Sequence, residues 1–345
     1  HLSARADLPT TLMNLIGIHN LEITTASTIV KESRKIEVAM VLDVTGSMFG
    51  SKLQALKDAA HAFVEILFAD EETSETVKIA VVPFASAVNI GTGMAAYVKD
   101  NPGVPNRYTP AVWSGCVEAR PHPYDVEDSY VDNDTDGGRW RTYAWPPHAV
   151  QNPWPPITAT RGPNKQCPSQ AILPLSDSRS GIDAAIDGFT AAGQTNVAQG
   201  AVWGWATLSP DEPFTEGAEY GDEETKKFII VMTDGENFVS TTAGSYSAYG
   251  TIAEANVALG CPSNNEACKV GEVDNRTEEV CDAMKDLDIT VYTVGFDMSA
   301  GSPALELLED CATDPNKFFD SPSNADLKAA FATIGNELIN IRIGK

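Results

Sequence analysis

Apolar residues recur in short unbroken runs: VAMVL at 38–42, VKIAVVPF at 77–84, KFIIVM at 227–232 and ITVYTVGF at 289–296. A strand covered on both faces reads this way, because neither face meets water. Between the runs the apolar spacing turns helical. Leu53, Leu56, Ala60, Phe63 and Leu67 follow one another at 3, 4, 3 and 4, which is one face of a helix opening at Ser51. The same period predicts helices over 176–189, 196–208, 274–287, 304–311 and 325–341. Strands are predicted at 36–42, 77–84, 227–232 and 289–296. Short strands are expected at 171–175, where Pro174 suits an edge, and at 318–319. Strand and helix alternate from 36 to 341, so the expected fold is α/β: a doubly wound, mostly parallel sheet with helices on both faces.

Three stretches stand outside the alternation. Residues 1–35 read as a connector with one strand, Leu21–Val30 (LEITTASTIV), rich in β-branched residues. Residues 89–170 form an insertion within the 36–341 domain. Thirteen of the 21 prolines and four of the six tryptophans lie between Asn101 and Leu175. That is too long for an ordinary loop and too aromatic for a disordered one. Residues 238–268 read as loop.

Composition narrows the class. The 24 basic residues face 48 acidic ones, a net charge of −24. This argues against nucleic acid and against docking on anionic lipid. No run of 18 apolar residues occurs, so a membrane connection would require an anchor upstream of His1. The six cysteines show no metal-ligand spacing. Disulfides in an oxidising, extracytoplasmic compartment are expected, paired as sequence neighbours: Cys116–Cys167, Cys261–Cys268 and Cys281–Cys311. Reduced core cysteines of an intracellular protein are the alternative.

The candidate chemistry lies where the runs end. Asp43, Thr45 and Ser47 follow the first strand, Thr195 sits in the TAAGQT link between two helices, and Asp234 follows KFIIVM. Carboxylates and hydroxyls without His or Cys suit a hard cation, Mg²⁺ or Ca²⁺, and so few carboxylates leave coordination open to a partner. The sequence D-x-T-x-S after a strand, G-x-T between helices and T-D-G after a strand resembles the von Willebrand factor A domain. The resemblance implies a metal-ion-dependent adhesion site at Asp43, Thr45, Ser47, Thr195 and Asp234, with Thr45 where serine is commoner. VVPFASAVNIG, AVWSGC, ILPLS, GQTNVAQGAVWGWATLSP and LLEDCA further resemble the TadG group of tight-adherence (Tad) pilus proteins, which implies a bacterial surface, periplasmic or secreted setting behind an N-terminal anchor.

Asp132, Asp134 and Asp136 open a D-x-D-x-D-G string like a calcium loop, but Tyr143 stands where the twelfth-position carboxylate belongs. A second Ca²⁺ and a solvated acidic turn are both open readings there. Trp113, Trp140, Trp145 and Trp154 are expected either to border the metal loops or to pack the insertion's own core. No nucleophile–base motif occurs. An aspartyl phosphotransferase would carry a second aspartate at position 45, so no enzymatic activity is expected. Two functions follow: metal-dependent adhesion to a protein or cell-surface ligand that offers a carboxylate, or a structural pilus or envelope component that docks to its own machinery.

Overall fold

The computed structural model describes residues 2–9, 16, 20–27, 34–99, 113–128, 130, 138–145, 162–242, 244–262 and 265–342. In chain order the strands begin with β1 (Leu2–Pro9), β2 (Asn20–Ser27), β3 (Lys35–Asp43) and β4 (Val77–Phe84). Short strands follow: β5 (Val88–Asn89), β6 (Val98–Lys99), β7 (Cys116–Val117), β8 (Trp140–Arg141), β9 (Ala144–Trp145), β10 (Gly162–Pro163) and β11 (Leu173–Ser176). Then come β12 (Thr225–Thr233), β13 (Tyr246–Ser247), β14 (Gly250–Thr251), β15 (Thr290–Phe296) and β16 (Phe318–Ser321). The helices are α1 (Ser51–Phe68), α2 (Arg179–Asp187), α3 (Val197–Leu208), α4 (Ile252–Ala258), α5 (Glu266–Asp286), α6 (Pro303–Cys311) and α7 (Asn324–Arg342).

The main sheet runs β16-β15-β12-β3-β4-β5-β7, with β11 also on β4. From β16 to β4 every pairing is parallel, whereas β11, β5 and β7 join antiparallel. The expected α/β architecture is therefore present. Strand β3 explains why its run is unbroken. Ile36, Val38, Met40 and Leu42 pack with Phe63 of α1 and Phe331 of α7, while Ala39 and Val41 pack with Ala201 and Trp205 of α3. His61 ties α1 to α2 through Asp183 and Asp187, at 2.8 and 3.0 Å.

Two stretches depart from their expected form. Residues 1–35, read as a connector with one strand at 21–30, carry two, β1 and β2, paired antiparallel with Leu2 opposite Ser27, so the second strand ends at Ser27 and has a partner in the first. The segment read as loop up to residue 268 contains α4 and the first turn of α5. At α4, Thr251 and Glu254 form a reciprocal cap: the Thr251 hydroxyl receives the Glu254 N–H, and the Glu254 carboxylate receives the Thr251 N–H. At α5, the Asn265 side chain accepts the Cys268 N–H. Caps, rather than apolar period, start both helices.

The three cysteine pairs are Cys116–Cys167, Cys261–Cys268 and Cys281–Cys311, as the neighbour reading expected. At one pole of the sheet, the Arg34 N–H donates to the carbonyl of Arg342 (3.1 Å), so the chain enters β3 beside the end of α7. No described helix is long and apolar enough to cross a membrane.

Candidate metal centre

Strands β3 and β12 are paired in parallel up to Leu42 and Met232, so their ends release Asp43 and Asp234 at the same edge of the sheet. This is the carboxyl edge, where open α/β sheets place their ligands. Asp43 is fully buried. Its carboxylate accepts the Thr45 N–H (2.7 Å) and the Thr233 hydroxyl (2.6 Å). The Thr45 hydroxyl lies 2.8 Å from that of Ser47, and Ser47 donates to Asp234 at 2.6 Å. Four of the five predicted residues therefore form one hydrogen-bonded cluster of oxygens.

Thr195 reaches the same edge by another route. The Gly46 N–H donates to the Gly193 carbonyl (3.0 Å), the Ala192 N–H to the Val44 carbonyl (2.9 Å), and the Phe238 N–H to the Thr195 carbonyl (2.9 Å). The link thus lies against both strand-end loops. Gly193 has φ of +91°, and a Cβ there would meet the Gln166 carbonyl oxygen at 2.2 Å, so only glycine fits the approach. Next along, Asn196 caps α3 and Asn237 receives the Val197 N–H at 2.7 Å. Among the described residues no hydrogen bond joins the Thr195 hydroxyl to the other four side chains.

Burial, and after it the charge of Asp234, pushes the Asp43 carboxyl up from 3.8 to about 6, against hydrogen bonds from Thr233 and Thr45. Two features fit this set to a cation. Every donor is a hard oxygen, and the Asp43 carboxylate is destabilised by burial and by a like charge that a bound cation would offset. The sequence reading missed Lys52, whose ammonium bonds Asp234 at 3.0 Å and Asp297 at 2.9 Å. Burial opposes its charge, but the bonds to Asp297 and Asp234 prevail and hold it above its ordinary range. Its position in the first turn of α1, five residues after Ser47, was the available signal; Asp297 lies far away in sequence, just past β15.

The insertion grows from the same edge. β11 pairs antiparallel with β4 (Leu173 opposite Val81), and the chain leaves β4 at Phe84, the partner of Asp43. Trp113, Trp140 and Trp145 are buried rather than exposed around the metal loops, but the core they enter is not the insertion's alone: Trp113 and Trp140 join the cluster of α3 and the sheet. Trp140 stacks on Tyr130, with ring centres 5.5 Å apart, and packs on Trp203 of α3 at 4.8 Å. Trp113 donates to the Cys116 carbonyl at 2.6 Å and Trp145 to that of Gly244 at 3.0 Å. Trp154 and the acidic string Asp132, Asp134 and Asp136 lie outside the described residues.

No protein-family model matches the sequence. No curated protein matches it either. Among solved structures, the chain is similar to the vWF domain of the type V pili tip protein Mfa5 from Porphyromonas gingivalis, at 14% identity and a TM-score of 0.49, covering 90% of this chain and 97% of that one. The PilB minor pilin from Streptococcus sanguinis aligns at 13% identity and 0.46, covering 95% and 66%. The pilus adhesin SpaC from Lactobacillus rhamnosus GG, in its open conformation, aligns at 12% and 0.47, covering 90% of this chain and 31% of its own length.

Proposed function

We propose that the chain is an extracytoplasmic binding protein in which Asp43, Thr45, Ser47, Thr195 and Asp234 hold Mg²⁺ or Ca²⁺. The observation that carries this reading is the oxygen cluster at the ends of β3 and β12, with its buried Asp43 beside Asp234. Bound there, the ion supplies an open coordination position for the carboxylate of a protein or cell-surface ligand. Asp43 is held by Thr45 and Thr233, and Asp234 by Ser47 and Lys52, so the donors are oriented in advance. Three disulfides support a setting outside the cytoplasm. The resemblance of VVPFASAVNIG, AVWSGC and LLEDCA to the TadG group supports a place in a Tad-type pilus. A second Ca²⁺ at Asp132, Asp134 and Asp136 belongs to the same proposal.

Calorimetric titration of chelator-treated protein with MgCl₂ and CaCl₂ tests it. Saturable heat is expected, and it should be lost in Asp43→Ala. Equal heat in that variant would remove the site.

A second reading, a structural pilus or envelope component, is favoured by one observation. Lys52 already joins α1 to the loops after β12 and β15 by ion pairs. The two readings separate in cells producing Asp43→Ala: adhesion lost with assembly intact supports the first, and failed assembly supports the second.

A further inference from the structure

Within a chain of net charge −24, one cavity gathers bases. Its volume is about 560 Å³, and it lies between α4 and the insertion strands. Lys99, Arg120, His122, Arg139 and Arg141 line it, against the carboxylates of Glu118 and Glu254. Both acids also hold neighbouring groups of the protein. Glu118 accepts the Tyr246 hydroxyl, and Glu254 accepts the N–H and hydroxyl of Thr251 at 2.8 and 2.7 Å.

Lys99 and Arg141 are register partners on the parallel strands β6 and β8. Registered side chains of neighbouring strands project from the same face, about 5 Å apart. Like charges so placed destabilise the pairing. Among the described residues, neither side chain has a carboxylate within ion-pair distance. A bound anion would offset that repulsion. Part of the lining is apolar: Pro121, Ala253, Val257 and Ala258, with Val257 among the most exposed large apolar side chains of the described residues. An inorganic anion would leave this part wet, so the ligand must carry an apolar body. The volume is that of a small-ligand site.

We propose that this cavity binds a carboxylate carried on an apolar body, the charge lying between Lys99 and Arg141 and the body against Val257 and its neighbours. A peptide C-terminus with an apolar last residue and a fatty acid share this chemistry. The proposal does not rest on the metal reading, because the two sites have no side chain in common.

The test is calorimetry on the full chain in chelator, with N-acetyl-leucine, octanoate, N-acetyl-leucinamide and sodium sulfate as probes. At least one carboxylate should bind, with the leucine or octanoate arm identifying the source. The amide and sulfate should bind at least about tenfold more weakly. Lys99→Gln/Arg141→Gln should lose about tenfold in carboxylate affinity without a lower melting temperature, since it removes a repulsion. Asp43→Ala should bind as the parent does. No heat with either carboxylate, equal binding of the amide or sulfate, or an unchanged double variant would overturn the proposal.

Discussion

Asp43 carries most of the consequence at the scale of single residues. Its carboxyl titrates near 6 in the folded, metal-free protein against 3.8 for the ordinary group, first because it is buried. The sign follows from linkage. The folded state prefers the protonated form, so this contribution is intact below about pH 4 and is lost as pH rises through 6, by about 3 kcal/mol. Thermal melts in chelator between pH 4 and 7 should show that fall, and Asp43→Asn should flatten it; a parent and variant with the same pH profile would refute the assignment. Lys52 gives an opposite effect on binding. Its ammonium sits on Asp234, where it offsets the negative charge offered to a cation. Lys52→Met should therefore tighten divalent-cation binding about fivefold, measured by the same titration.

The elements show how the site is supported. Helix α3 packs so closely on the sheet that a Cβ at Gly204 would meet Val41 Cγ2 at 2.3 Å and Ile229 Cδ1 at 2.7 Å. Gly204→Val should cost about 1–3 kcal/mol in chemical denaturation by overpacking, and should disturb Thr195, which precedes the cap of that helix. The Cys116–Cys167 bridge closes 51 residues of the insertion. Cys116→Ser/Cys167→Ser should lose about 2–4 kcal/mol and expose the insertion to limited proteolysis before the sheet. The parallel strands were legible because burial on both faces writes an unbroken apolar run, as in β3 and β12. The strand-end ligands were legible with them, because loop polarity follows strand polarity. The start of α5 was not: it carries Glu266, Lys269 and Glu272, and the Asn265 cap rather than an apolar stripe begins it. The tryptophans were ambiguous because an indole serves a surface as well as a core; for Trp140 and Trp145 the neighbours that decide, Trp203 and Gly244, are remote in sequence.

Over the whole molecule, a net charge of −24 makes the folded state repel itself. Raising NaCl from about 0.05 to about 1 M shortens the screening length to about 3 Å, and should raise the melting temperature by a few degrees; a melting temperature independent of salt would show that local pairing has already cancelled the repulsion. Finally, the hydrogen bond between Arg34 and Arg342 puts entry and exit of the domain side by side. Asp43 stands at the far end of β3, nine residues and about 30 Å away. A pull applied through both ends of the domain would meet at that shared pole and be taken up there, so the sheet and the oxygen cluster would hang outside the line of tension. A grip made at the cluster reverses this: load entering at Asp43 runs the length of the central strand, in shear against β12 and β4, before it reaches the pole where Arg34 meets Arg342.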